Sequence, residues 1–177
     1  MNFFEKTITS DEIFRGKVFS VKKETVLLPD NSKANREVVI HNGGVGVLPI
    51  DENKNVILVK QFRKGAEKEM LEIPAGKSEP GEDPKTCALR ELTEETGYTS
   101  SNLTYLGNFY PTPAYCSELI HIYKAEDLIF KGQKLDDGEF LKLITISLED
   151  AYNMVLSNEI IDAKTIIAIL KAKEILK

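Results

Sequence analysis

Hydrophobic and polar residues alternate along much of the first two thirds of the chain, which is the pattern of β-strands. Alternation and β-branched residues predict three strands near the N-terminus, over residues 14–21, 23–28 and 36–40. Turn residues at 29–32 separate the second strand from the third. Two more strands, 45–50 and 56–60, flank the polar stretch 51–55 and are expected to form a second hairpin.

A helix in the middle of the chain is predicted from the residues at its two ends. Asp83 can cap the first turn, and Pro84 suits the first helical position because its fixed backbone angle matches the helix. Gly97 suits the left-handed residue that commonly follows a helix. The helix is therefore expected to run from about residue 84 to residue 96.

The last third of the chain mixes strands and helices. Strands are predicted over residues 103–109, 118–124 and 140–146. Ser147 is expected to cap a helix that ends near residue 156, and Asp162 a last helix that reaches nearly to the C-terminus. The glycine-containing stretch 41–44 is the best boundary. Residues 1–42 would then form a small strand unit and residues 43–177 a mixed α/β domain.

The composition fits a globular protein of one domain, or of one domain with a small appendage. The chain has 177 residues, 42% of them apolar and 29% charged. A net charge of -5 argues against a nucleic-acid binder, which needs Lys and Arg to displace counterions. No apolar run approaches the roughly 20 residues that cross a membrane, so a cytoplasmic location is expected. Cys87 and Cys116 are expected to be reduced thiols.

Three glutamates share one face of the predicted central helix. Glu91, Glu94 and Glu95 occupy relative positions 0, 3 and 4, so their carboxylates lie side by side. Their repulsion costs only about 0.2–0.5 kcal/mol per pair, and a solvated acidic face is an alternative explanation. Glu82 before the helix and Arg90 within it make that alternative less attractive. Carboxylates grouped in this way are suitable ligands for Mg²⁺, which shares its coordination shell with substrate phosphates.

The order of these residues resembles the signature of the Nudix hydrolase family, G-x5-E-x7-R-E-U-x-E-E-x-G-U, where U is a bulky apolar residue. Every fixed position is filled at the right spacing, by Gly76, Glu82, Arg90-Glu91-Leu92, Glu94-Glu95 and Gly97. The single departure is Tyr98 at the last position, where an aliphatic residue is usual. Because so many positions are specified, the signature favours a functional over a purely structural explanation.

The resemblance implies a fold, a cofactor and a reaction. The fold would be a mixed sheet packed between helices, here with an N-terminal β-strand extension. Glu91, Glu94 and Glu95 would bind Mg²⁺, or alternatively Mn²⁺, while Arg90 would orient a carboxylate. The family reaction is attack of water on one phosphorus of a diphosphate, assisted by the metal.

Other segments resemble the ADP-ribose pyrophosphatase branch of the family. The segments are 61–63, 71–76 and the loop around Pro113, although Ala114 stands where a glycine is common. By this resemblance Arg63 and Glu72 would contact substrate, and the carbonyl of Ala75 would complete a metal site. Arg63 could instead be an ordinary strand end. Pro113 would belong to a substrate-recognition loop, or to a plain turn.

The acidic stretch 135–140 resembles the mobile loop that carries a catalytic base in this branch. Glu139 would be a further metal ligand, and Asp137 stands where a glutamate base is often found. Aspartate is one methylene shorter, and a base must reach its water within hydrogen-bonding distance, so the assignment of the base stays open. A solvated acidic turn is the alternative.

The N-terminal unit resembles the segment that builds a homodimer in this branch and lends residues to the partner's site. Phe14 would stack on the adenine and Arg36 would reach substrate, although a phenylalanine in such a strand pattern is more often a core residue and Arg36 could flank a turn.

The sequence therefore predicts a hydrolase that converts ADP-ribose to AMP and ribose 5-phosphate. One alternative is a hydrolase of another nucleoside diphosphate sugar, because the signature encodes the diphosphate chemistry and not the attached group. Another is a protein that binds such a nucleotide without cleaving it. The intact set of three glutamates argues against this last alternative, since a binding protein has no need to keep every metal ligand.

Overall fold

A computed structural model describes residues 2–135 and 137–175 of the chain. Its ten strands are β1 Lys6–Arg15, β2 Phe19–Leu27, β3 Lys33–His41, β4 Gly44–Pro49, β5 Asn55–Arg63, β6 Lys68–Glu72, β7 Ala75–Lys77, β8 Tyr98–Phe109, β9 Ile120–Phe130 and β10 Leu141–Ser147. Its three helices are α1 Pro84–Thr96, α2 Leu148–Leu156 and α3 Ala163–Ile175. Among the described residues, no helix has the length and apolar character needed to cross a membrane.

The chain divides into two compact units. The first joins the chain up to Gly43 to the segment Tyr110–Leu119, and the second joins Gly44–Phe109 to the chain from Ile120 onward. The predicted division into 1–42 and 43–177 remains a prediction. What the contacts add is the segment between β8 and β9, which belongs with the N-terminal strands.

The first unit is an antiparallel sheet in the order β1-β2-β3. The segment that follows β8 is hydrogen-bonded to β3, since the N–H of Val39 donates to Tyr115 O (2.7 Å) and the N–H of Ser117 donates to Val39 O (2.9 Å). The predicted continuous strand 14–21 is wrong. The chain turns after Arg15, where the N–H of Gly16 donates to Phe19 O (2.9 Å) and closes a hairpin between β1 and β2.

The second unit contains two sheets, one in the order β7-β4-β9-β8 and one in the order β10-β5-β6. β4 and β9 are parallel, whereas the other pairs are antiparallel. The predicted hairpin between 45–50 and 56–60 is therefore wrong. β4 and β5 belong to different sheets, and in the described part of the chain the antiparallel pairing at this turn is a single bridge between Ile50, just after β4, and Val56. β4 pairs instead with β9, which is distant in sequence.

The mixed sheet lies between helices, as the family resemblance implied. Neighbouring residues of a strand point to opposite faces, and Val47 and Leu48 of β4 show the two sides. Val47 belongs to a buried cluster with Cys87, Ala88 and Leu92 of α1. Leu48 belongs to a separate buried cluster that includes residues of α2 and α3. The helix that carries the three glutamates is thus held against one face of the sheet, and α2 and α3 cover the other.

Candidate functional site

The carboxylate-bearing helix α1 begins and ends at its predicted capping residues. Asp83 Oδ2 accepts hydrogen bonds from the N–H groups of Lys85 and Thr86, both at 3.1 Å. Gly97 has a left-handed backbone with φ of 78°, and its N–H donates to Thr93 O. The predicted bounds of this helix are confirmed. These bounds set the register that places Glu91, Glu94 and Glu95 on one side.

Arg90 connects the acidic residues around α1. Its Nε and Nη2 donate to the two carboxylate oxygens of Glu82 at 3.0 and 2.9 Å. Its Nη1 donates to Glu91 Oε1 at 2.7 Å and to Glu94 Oε2 at 3.0 Å. Hydrogen bonds to Glu82, the largest cause, raise the pKa of Arg90, and the same contact lowers the pKa of Glu82 to about 2. One guanidinium group therefore donates hydrogen bonds to three carboxylates.

Glu95 is the most buried of the three helix glutamates, with 4% of its surface exposed. The N–H of Ala75 donates to its Oε2 at 2.9 Å. Burial, which disfavours a charged carboxylate, is the main cause that raises the pKa of Glu95 to about 8. The nearby charges of Glu91 and Glu139 act in the same direction. This part of the site has more negative charge than its protein neighbours compensate.

Such a site suits a divalent cation. Burial also raises the pKa of Glu91, whose carboxylate lies near the charges of Glu94 and Glu139. A bound cation would compensate these charges with the oxygen donors that hard metal ions prefer. Within residues 2–135 and 137–175, no three acidic, His or Cys side chains already form a metal-binding group. The reason is visible in the contacts: Arg90 holds Glu91 and Glu94, while a main-chain N–H holds Glu95.

The segment between β9 and the acidic stretch 135–140 is hydrogen-bonded to the end of α1. Gln133 Nε2 donates to the main-chain oxygen of Glu95 at 2.5 Å, and the N–H of Lys134 donates to that of Glu94 at 3.1 Å. Glu139 is exposed, yet its charge acts on the pKa of Glu95. Asp137 is exposed in the turn before it, and Asp136 of the same stretch lies outside the described residues. Gln133 was not foreseen, because a single glutamine in a loop carries no sequence signal.

Arg63, at the end of β5, is hydrogen-bonded to a buried carboxylate. Its Nε and Nη2 donate to the two oxygens of Glu72, both at 2.7 Å. Glu72 is only 1% exposed, whereas the side chain of Arg63 is 42% exposed. The hydrogen bond that Arg63 donates to Glu72 is the largest cause that raises the pKa of Arg63, and the charge of Glu95 contributes in the same direction. Arg63 is therefore the member of this pair that is open to solvent.

A profile of the NUDIX domain family matches residues 40–168 of the chain. The chain belongs to the Nudix hydrolase family. It is 46% identical to an ADP-ribose pyrophosphatase of Bacillus subtilis (strain 168) over 177 residues, which cover 98% of this chain and 96% of that protein. It is also 42% identical to a methanol dehydrogenase activator of Bacillus methanolicus, with 99% and 97% covered. The crystal structure of an ADP compounds hydrolase shares the fold, with a TM-score of 0.88, 23% identity, and 99% and 96% of the two chains covered.

Nudix hydrolases generally use divalent metal ions. In this Nudix chain the structure gives a physical reason for the first glycine of the signature, Gly76. A Cβ atom on Gly76 would overlap the carboxyl group of Glu91. Gly76 lies in β7, beside α1, and its hydrogen leaves the space that the carboxylate occupies. The first glycine of the signature is therefore needed for the position of Glu91.

Gly76→Ala is expected to lower activity without unfolding this Nudix protein. The added methyl group would push aside only the flexible end of the Glu91 side chain, so we expect kcat/KM to fall by about 10–100-fold and Tm to change little. Enzyme assays and thermal unfolding of the same samples measure the two effects. Gly65→Ala is the matched control, because a Cβ there meets no atom within 4 Å. Equal activities of the two variants would contradict the explanation.

The Glu82–Arg90 pair of the Nudix signature is expected to give a pH-dependent part of the stability. The pKa of Glu82 is lowered from 4.5 to about 2, so the pair's contribution is complete above pH 4.5 and is lost as the pH falls towards 2. Glu82→Gln should lower the free energy of unfolding by about 1.5–3 kcal/mol at neutral pH. Most of this difference from the wild type should be gone at pH 2. Urea unfolding at several pH values measures it, and a constant difference would contradict the assignment.

The remaining predicted residues belong to the unit that contains β1, β2 and β3. Phe14 is 51% exposed and packs against the ring of Phe19 at a centroid distance of 5.7 Å, so it is not a core residue. Arg36 donates from Nε and Nη2 to Glu5, at 2.9 and 2.6 Å. Pro113 lines a cavity of about 340 Å³ together with Tyr110 and other residues of the same unit. Glu91, Glu94, Glu95 and Arg63 belong to the other unit.

Proposed function

We propose that this Nudix hydrolase cleaves the diphosphate bond of ADP-ribose and releases AMP and ribose 5-phosphate. The observation that carries the proposal is the group of glutamates on one side of α1, in which Glu95 is buried and both Glu95 and Glu91 have raised pKa values. The near full-length similarity to an ADP-ribose pyrophosphatase supports the choice of substrate. Hydrolysis of another nucleoside diphosphate sugar and binding without cleavage are the outcomes that an experiment must separate from it.

We propose Mg²⁺ as the cofactor, with Mn²⁺ as a substitute. Its ligands would be Glu91, Glu94, Glu95, Glu139 and the carbonyl oxygen of Ala75. When bound, the metal would neutralise phosphate charge and lower the pKa of its water. The chemistry of these oxygen donors fits the ion, and the excess of negative charge around Glu95 gives a reason for binding it.

The protein itself would position the diphosphate through Arg63. A guanidinium group has five N–H donors, and Glu72 accepts two of them. The other three remain to donate to phosphate oxygens, and the exposed side of Arg63 makes them accessible. Arg90, in contrast, is directed at carboxylates, so its role would be to orient Glu91 and Glu94.

A carboxylate of the acidic stretch would accept the proton of the attacking water. We propose Asp137 for this role and Glu139 as a metal ligand. The bonds from Gln133 and Lys134 to α1 support the placement, since they bring the start of this stretch to the helix that carries Glu94 and Glu95. The charge of Glu139, which helps to raise the pKa of Glu95, supports the same placement for the later residues of the stretch.

The rest of the substrate would be recognised by the unit that contains β1. We propose that in the site of the dimer partner Phe14 stacks on the adenine and Arg36, after releasing Glu5, reaches substrate. We also propose that the Pro113 loop takes part in substrate recognition. We also propose a homodimer, supported by the exposed apolar residues of this unit, which include Phe3, Phe4, Ile8 and Ile13. A cytoplasmic location completes the proposal, supported by the unpaired thiols of Cys87 and Cys116.

Product analysis with Mg²⁺ against a panel of substrates tests the function. The panel contains ADP-ribose, other nucleotide sugars, dinucleotides and nucleoside triphosphates. Metal-dependent release of AMP from ADP-ribose as the best substrate is the expected result. Faster turnover of another compound would discard ADP-ribose while keeping the diphosphate chemistry. Tight binding of ADP-ribose with no cleavage of any compound would favour a nucleotide-binding protein.

A further inference from the structure

The buried carboxylate of Glu72 lies between two cations. Arg63 occupies both of its oxygens, and Lys164 Nζ donates to Oε2 at 2.5 Å. Lys164 belongs to the first turn of α3 and is 92 positions away from Glu72 in the sequence. Its side chain is 11% exposed. An interaction between a buried acid and a nearly buried lysine joins α3 to the strand end that carries Arg63.

The start of α3 is fixed by contacts of its own. Asp162 Oδ2 accepts a hydrogen bond from the N–H of Thr165 at 3.0 Å and caps the helix. Asp162 Oδ1 lies 3.0 Å from Lys164 Nζ. The N–H of Ile73, next to Glu72, donates to Thr165 Oγ1 at 2.8 Å. The ammonium group of Lys164 is therefore held in one place relative to Glu72.

The second cation changes what Arg63 can do. A buried carboxylate that is paired with one guanidinium group alone would largely cancel the positive charge of that guanidinium group. Lys164 brings a second positive charge to Glu72, and Asp162, 3.0 Å from Lys164 Nζ, brings a second negative one. The four side chains therefore carry two charges of each sign, and Arg63 shares the charge of Glu72 with Lys164. Arg63 is the member with the most exposed side chain, so the positive potential is directed to the exposed side of the group.

We propose that Lys164 is a positioning residue for the reaction. It holds and partly neutralises Glu72, so that Arg63 keeps its orientation and its charge for the diphosphate of the substrate. The inference rests on the proposed role of Arg63 in binding that diphosphate. Without Lys164, Glu72 would have Arg63 as its main counter-charge, and Arg63 would attract an anionic substrate less strongly.

The test is a double-mutant cycle on Lys164 and Arg63. Lys164→Met is expected to lower kcat/KM for ADP-ribose by about 10–100-fold, and Lys164→Arg to restore most of the loss because it keeps the charge. In an Arg63→Met background, Lys164→Met should add less than about a twofold further loss, since its effect passes through Arg63. Lys171→Met is the matched control on α3, because Lys171 Nζ donates to the carbonyl oxygen of Leu106 and lies over the ring of Phe109, away from Glu72 and Arg63, so this variant should keep wild-type kcat/KM.

The outcomes separate this inference from the proposed function. If the wild type cleaves ADP-ribose and Lys164→Met matches it, or if the two losses multiply fully, the inference is wrong and the function stands. If another diphosphate is the substrate, the same cycle is measured with that compound. If ADP-ribose binds without turnover, the cycle is measured in Kd by calorimetry. Lys164→Gln replaces Lys164→Met should the latter not fold, and a protein that neither binds nor cleaves any diphosphate of the panel would overturn both proposals.

Discussion

Glu95→Gln is expected to lower kcat/KM by at least about 100-fold, more than the loss typical of residues that only support metal ligands. Glu95 is the most buried carboxylate of the cluster, and the amide that replaces it is neutral and a poorer ligand for a hard cation. The amide oxygen can still accept the hydrogen bond from the N–H of Ala75, so the fold should be kept. Steady-state assays with Mg²⁺ and ADP-ribose measure the loss.

The same substitution is expected to leave the metal-free protein as stable as the wild type, or more stable. It replaces a carboxyl group whose ionisation is opposed by burial and by the charges of Glu91 and Glu139, which raise its pKa to about 8, with an amide that carries no charge at any pH. Thermal unfolding with EDTA measures this, and unfolding with Mg²⁺ should show a smaller increase in Tm than the wild type shows. Glu149→Gln, at an exposed side chain in the first turn of α2, is the control for loss of a carboxylate. More than a tenth of wild-type activity in Glu95→Gln would exclude the proposed role.

Arg90→Met is expected to cost roughly 2–4 kcal/mol of unfolding free energy, because it leaves three partly buried carboxylates without their shared counter-charge. The lower part of that range applies if solvent reaches the cluster, since Arg90 is 29% exposed. Catalysis should also fall, as Glu91 and Glu94 lose the group that orients them. Urea unfolding of the metal-free protein gives the stability, and kcat/KM is measured on the same sample.

Arg90→Lys is the informative comparison for this prediction. Lysine keeps the charge but cannot contact both oxygens of Glu82 and reach Glu91 and Glu94 at the same time. Its stability should therefore lie between those of Arg90→Met and the wild type. An Arg90→Met protein within about 0.5 kcal/mol of the wild type would show that solvent already screens the cluster.

The sequence was most informative where structure depends on neighbours along the chain. Asp83 and Gly97 define α1 by capping its own ends, so its bounds follow from local chemistry. Ser147 and Asp162 likewise cap α2 and α3. Once α1 is placed, the common face of its glutamates follows from helical geometry alone.

Contacts between distant segments could not be read in the same way. The polar stretch after β4 is compatible with a hairpin, but a hairpin is only one use of a turn, and the parallel pairing with β9 gives β4 a buried place in the sheet. β6 was missed because Lys68–Glu72 contains no β-branched residue, and β7 because it has only three residues. Lys164 was missed because its partner Glu72 is brought to it by the fold, and neither residue stands in a motif with the other.

The segment between β8 and β9 makes the N-terminal unit a discontinuous one. Its hydrogen bonds to β3 join a segment that precedes α1 in the sequence to one that follows α1. A gene shortened to begin after Gly43 would still encode Tyr110–Leu119 but would lose the strand that satisfies its main-chain groups. The unit therefore cannot be exchanged between relatives as a single cassette. Chimaeras that swap it should exchange two gene segments together, the one up to Gly43 and the one for Tyr110–Leu119.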